Sequence, residues 1–120
     1  MSARWIRLLA AHLVVARLVV ADSGDTPTSA DDAAFFEARV RPVLVQHCYQ
    51  CHSGRTAQPE GELRLDSRAA VRQGGSRGPA VVPGDAAASW LLKAVSYDDP
   101  ELQMPPKGKL PDAVLRDLQE

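Results

Sequence analysis

Sulfur, aromatic rings and net charge are all scarce in this sequence. Of 120 residues only two are cysteines, Cys48 and Cys51. A disulfide framework is thereby excluded, because one pair this close in sequence closes too short a loop to act as a good staple. Aromatic residues make up 5 % of the chain, which is thin for a domain that must build its own core. The formal net charge of −1 is too small to point to nucleic acid. The length allows one domain at most, and no internal repeat is present. No set of residues reads as a hydrolytic or acid–base constellation.

What is present begins with the N-terminus. Arg4 and Arg7 give a basic start, Leu8 to Ala21 is mostly apolar, and Val19-Val20-Ala21 fits the small-residue cleavage rule. Residues 1–21 read as a secretory signal peptide, although His12 and Arg17 interrupt the apolar run. The competing reading is a membrane anchor, but the run is shorter than the roughly 20 residues a spanning helix needs and contains a charge. Membrane association follows only if residues 1–21 are retained. Their removal leaves 11 basic and 15 acidic residues, a net −4. The expected location is therefore outside the cytoplasm, periplasmic or in the cell envelope. Asp22 to Ala30 is small and polar and reads as a linker, with the folded domain over 31–120.

Both cysteines fall in Cys48-Tyr49-Gln50-Cys51-His52, the C-x-x-C-H pattern of covalent haem c attachment. Two thiols three positions apart lie about one helical turn apart and suit two vinyl carbons on one porphyrin edge. His52 then offers an imidazole to the iron. Other readings are weaker. A redox dithiol of the thioredoxin kind needs a βαβ setting. A zinc site needs four ligands, and His47, Cys48, Cys51 and His52 would be crowded into six residues. His47 reads as a partly exposed helix-end residue. Met104 is the only methionine besides the initiator, and it precedes Pro105-Pro106, which stiffen its loop. It is the candidate second axial ligand. The bland alternatives are a methionine filling a core gap and a five-coordinate iron. Trp90 reads as packing in the core or against the ring edge. Arg64 and Arg77 are candidate propionate partners, and Val81 and Val82 candidate pocket residues. Lys107 and Lys109 read either as a basic rim for an acidic redox partner or as ordinary solvated lysines.

The coarse structure is helical. Ser29, Asp31 and Asp32 mark a helix start near Asp31, with Phe35, Phe36, Val40, Val43 and Leu44 at helical spacing. Pro42 predicts a break or a kink there, with a short helix to about Arg41 and a turn from Pro42. Glu62 to Asp66 alternates like a short extended segment. Ser67 caps a helix over Arg68 to Gln73, stopped by Gly74-Gly75. Asp85 opens a helix through Val95, Ser96 to Lys109 is loop, and Pro111 starts a last helix. That helix has run only ten residues at Glu120, so a truncated last helix is expected.

These residues together resemble the planctomycete-type cytochrome c domain. The resemblance rests on FFEARVRPVLVQHCYQCH (35–52), GELRLDS (61–67), GPAVVPG (78–84), WLLKAV (90–95) and MPPKGKLPD (104–112). It implies a small all-α, class-I-like cytochrome c fold of about four short helices around one covalently bound haem. It also implies thioether sites at Cys48 and Cys51, His52 as proximal ligand and Met104 as distal ligand. Such domains usually stand at the N-terminus of larger secreted proteins. The expected function is an electron carrier rather than an enzyme, serving redox partner proteins or an attached enzyme domain. The alternatives are the haem module of a larger secreted enzyme, and a haem-based gas or redox sensor.

Overall fold

Ser29 sets the first helix. Its hydroxyl accepts the Asp32 N–H while the Asp32 carboxylate accepts the Ser29 N–H, a capping box that satisfies two orphan donors at once. Helix α1 (Ala30–Phe35) follows, one residue ahead of the expected start. The computed structural model describes residues 28–120, so the signal-peptide reading and most of the linker lie outside the described residues.

Pro42 does not end the helix in a turn as expected, but the helix is locally distorted just before it. A π-helical turn (Phe36–Val40) carries α1 directly into α2 (Arg41–His47), with Pro42 in the first turn of α2. In an α-helix the proline ring would strike the carbonyl four residues back. Here the turn widens, and the Arg41 N–H reaches Phe36 O five residues back. The extra residue per turn admits the proline without ending the rod. Glu37 and Arg41 pair across the widened turn, and the Arg41 guanidinium lies 5.2 Å from the Phe36 ring centre.

The middle of the chain follows its caps. The extended segment expected from Glu62 starts one residue late, because Glu62 closes a 3-10 turn (Glu60–Glu62) with φ +58°; from Leu63 the alternation survives as burial, with Leu65 buried, Leu63 half-buried, and Arg64 and Asp66 exposed. The Leu65 N–H is fixed to His52 O at 2.9 Å. The Ser67 hydroxyl accepts the Ala70 N–H at 3.2 Å and starts α3 (Arg68–Gln73), which Gly74 ends with φ +75°. The expected helix from Asp85 is shorter than predicted. Asp85 closes an isolated bridge with Val82, residues 86–88 form turns, and α4 (Trp90–Ser96) begins only at Trp90. The Asp85 carboxylate takes the Ala88 N–H at 2.9 Å. The buried Ser89 hydroxyl accepts the Val82 N–H and donates to Asp85 O. These local bonds give the backbone an alternative to the helix. The last helix, α5 (Asp112–Gln119), packs on α4 and on the π turn, where Asp117 receives Arg39 in a two-pronged ion pair.

The described residues are thus helical and contain no strand, only isolated bridges at Gly75–Gly78 and Val82–Asp85. Because α1 and α2 join through the π turn, four helical rods result, as the all-α reading expects. The buried apolar residues are few: Leu44, Leu65, Ala80, Ala94, Val95 and Leu110.

Close approach demands glycine at Gly74. A Cβ there would overlap the Gly78 backbone carbonyl, and φ is positive besides. Gly84 shares φ +75° but has nothing within 4 Å of a Cβ. Gly84→Ala should therefore cost only the conformational penalty, about 1 kcal/mol, whereas Gly74→Ala should cost about 3 kcal/mol. Urea unfolding of both variants checks this, and equal losses would contradict it.

Candidate functional site

The C-x-x-C-H residues lie in turns that continue α2 rather than inside it. Cys48 caps the helix, its N–H bonded to Leu44 O at 2.9 Å. One helix-like bond, from the His52 N–H to Cys48 O at 2.9 Å, spans the motif and keeps the thiols about one turn apart. The following excursion is pinned at several points. The Thr56 hydroxyl donates to Gln50 O, the Gly54 N–H to the Asp66 carboxylate, the Glu60 N–H to Cys51 O, and the Leu65 N–H to His52 O. The motif is therefore a fixed platform.

Cys48 is half-buried, and burial pushes its thiol up to about 11. Cys51 is exposed, and both thiols are free rather than joined as a disulfide. His52 is half-buried, and its Nδ1 is buried with no hydrogen-bond partner. The neighbouring Ser53 hydroxyl is buried and unpartnered as well. The chain alone thus leaves this imidazole incompletely satisfied, which costs free energy.

Cys48, Cys51 and His52 line one cavity of about 470 Å³ together with Met104, which is distant in sequence. That volume is in the range of cofactor sites. The remaining wall is mostly apolar: Leu63, Leu65 and Ala80 from the middle of the chain, and Trp90, Leu91, Ala94 and Val95 from α4. Four of the six buried apolar residues, Leu65, Ala80, Ala94 and Val95, belong to this wall. The core and the cavity lining are largely one surface.

Other sequence candidates divide. Trp90 and Arg77 line the cavity, with the Arg77 guanidinium 5.6 Å and the Lys93 ammonium 4.3 Å from the Trp90 ring centre. Arg64, Val81, Val82, Lys107 and Lys109 are not in the lining. His47 ends α2 and is exposed as expected, yet it also borders the cavity. Among the described residues no three His, Cys, Asp or Glu side chains converge as metal ligands do. His47, Cys48, Cys51 and His52 therefore do not assemble the zinc site weighed above.

An apolar cavity with two free thiols and an unsatisfied imidazole on its wall fits a covalently held tetrapyrrole. The planctomycete cytochrome C family profile matches residues 48–108, from the first thiol to just past Met104. The chain belongs to this family. No curated protein and no solved structure matches it. Membership implies haem binding and electron transfer for this cytochrome. No helix among the described residues is long and apolar enough to cross a membrane.

The shared core and cavity wall predict a strong dependence on the haem. Without it, four of the six buried apolar residues border a void, and a small domain has little reserve. Far-ultraviolet circular dichroism of the apo chain should show reduced helix and no cooperative thermal transition. A cooperative transition with full helix content in the apo chain would contradict this.

Proposed function

We propose that this cytochrome is an exported mono-haem electron carrier, with Cys48 and Cys51 as thioether sites and His52 and Met104 as axial ligands. The observation that carries the reading is the convergence of these four side chains on one cavity. Bound haem supplies a one-electron ferric–ferrous couple. The chain supplies the rest. Cys48 and Cys51 tether the group to a fixed turn. His52 follows on the same turn, whose backbone is held at both its N–H and its carbonyl. The Met104 N–H is bonded to Ala94 O at 3.0 Å, which ties the thioether's backbone to α4. Leu65, Ala80, Ala94 and Val95 keep water from the cavity. Two ligands that stay bound in both oxidation states leave little to reorganise on transfer, and thioether with imidazole favours a raised potential.

The partner side is read from charge. Lys107 and Lys109 are exposed just after Met104. Lys93 and Arg77 sit over Trp90, which lines the cavity, and neither is ion-paired among the described residues. These cations suit an acidic redox partner or an attached enzyme domain with an acidic face. Residues 1–21 support export to the periplasm or cell envelope. Met104 in the lining favours a closed six-coordinate site over the open iron that a gas sensor needs.

A potentiometric titration of the haem-loaded protein should give a single one-electron step. Met104→Ala should lower that potential and abolish the weak far-red methionine–iron absorption band. It should also admit exogenous imidazole. Unchanged coordination in Met104→Ala would assign Met104 to packing.

A further inference from the structure

The loop that carries Met104 is mostly exposed. Met104 itself is 37 % exposed, and Gln103, Pro106, Lys107, Gly108 and Lys109 are all exposed. Packing grips it at Pro105, which is buried, and leaves the thioether itself in the open. Two bonds to the C-terminal end of α4 do more. The Met104 N–H donates to Ala94 O, and the Tyr97 hydroxyl donates to Pro105 O. They fall on adjacent residues, one at the methionine and one immediately after it.

The anchor for both bonds is rigid. Ala94 and Val95 are buried, and the first turn of α4 is fixed by the Leu91 N–H to Ala80 O at 2.9 Å. Tyr97 stands just beyond α4, half-buried, with φ +65°. Glycine is the usual residue in this left-handed position at a helix end, and a tyrosine bears a conformational cost that glycine would avoid. The side chain retained at that cost is the one whose hydroxyl reaches the Met104 loop. Neither composition nor helical spacing singles it out.

We propose that Tyr97 is a positioning residue for the Met104 thioether: its hydroxyl holds the Pro105 carbonyl and so keeps the sulfur at the cavity. The proposal rests on Met104 being an iron ligand. Tyr97→Phe removes the bond and keeps the ring. Pro105 O then retains only the Gly108 N–H, at 3.3 Å. The methionine becomes easier to displace, because one hydrogen bond's worth of restraint is gone.

The test compares haem-loaded wild type, Tyr97→Phe and Met104→Ala. In Tyr97→Phe we expect imidazole to bind about fivefold more tightly, the worth of one ordinary hydrogen bond. We also expect a weaker far-red methionine–iron band and faster hydrogen exchange of the Met104 amide. Helix content and haem retention should match the wild type. If Met104→Ala changes coordination while Tyr97→Phe leaves band, imidazole affinity and exchange unaltered, the role of Tyr97 is overturned and the ligand stands. If Met104→Ala itself changes nothing, both are overturned. Loss of helix or of haem in Tyr97→Phe would assign the hydroxyl to folding and overturn the proposal as well.

Discussion

The structure depends on a shortage of apolar surface. The buried apolar core is small among the described residues: Leu44, Leu65 and Ala80 form one cluster, and Leu65, Ala80, Ala94 and Val95 also border the cavity. A chain with 5 % aromatics cannot close that space with its own side chains. It instead arranges short helices and pinned turns around it. Leu65, Ala80, Ala94 and Val95 each serve as core and as cavity wall, so folding and the proposed haem binding would draw on the same contacts. Binding free energy then becomes folding free energy, as in other small domains that need a bound group.

Two frames hold the chemistry at that cavity. The first is the end of α2 with the turns after it, which present Cys48, Cys51 and His52. The second is α4, whose carbonyl at Ala94 and flanking Tyr97 hold the Met104 loop. The chemistry of Cys48 fits its surroundings. Burial disfavours the thiolate and pushes the thiol up to about 11. A thioether has no proton to lose, so the proposed attachment would remove that penalty altogether. Stability linked to the free Cys48 thiol would be present below the ordinary thiol range and lost as pH rose through about 11. Once bonded, the group drops out of the pH dependence.

Much of this was legible in the sequence because it rests on local rules. Ser29 and Ser67 cap helices as their residue type predicts, and Gly74 ends α3 at a positive φ. The C-x-x-C-H spacing and the lone internal methionine pointed to side chains that share one cavity. The misses have physical causes. Pro42 implied a break, but a widened π turn relieves the clash without ending the rod. Asp85 implied a helix start, but its carboxylate and the Ser89 hydroxyl bind nearby backbone and delay the helix to Trp90. Tyr97 and the bordering place of His47 depend on how distant segments meet, which spacing alone does not encode.

The central claim is that the chain closes its core with a haem bonded to Cys48 and Cys51. Mass spectrometry of the peptide carrying both residues, released by proteolysis of protein matured in a cytochrome-assembling host, tests it most directly. The account predicts a peptide heavier by one haem, with neither sulfur open to alkylation. A peptide of unmodified mass, its thiols free or joined to each other, would contradict it.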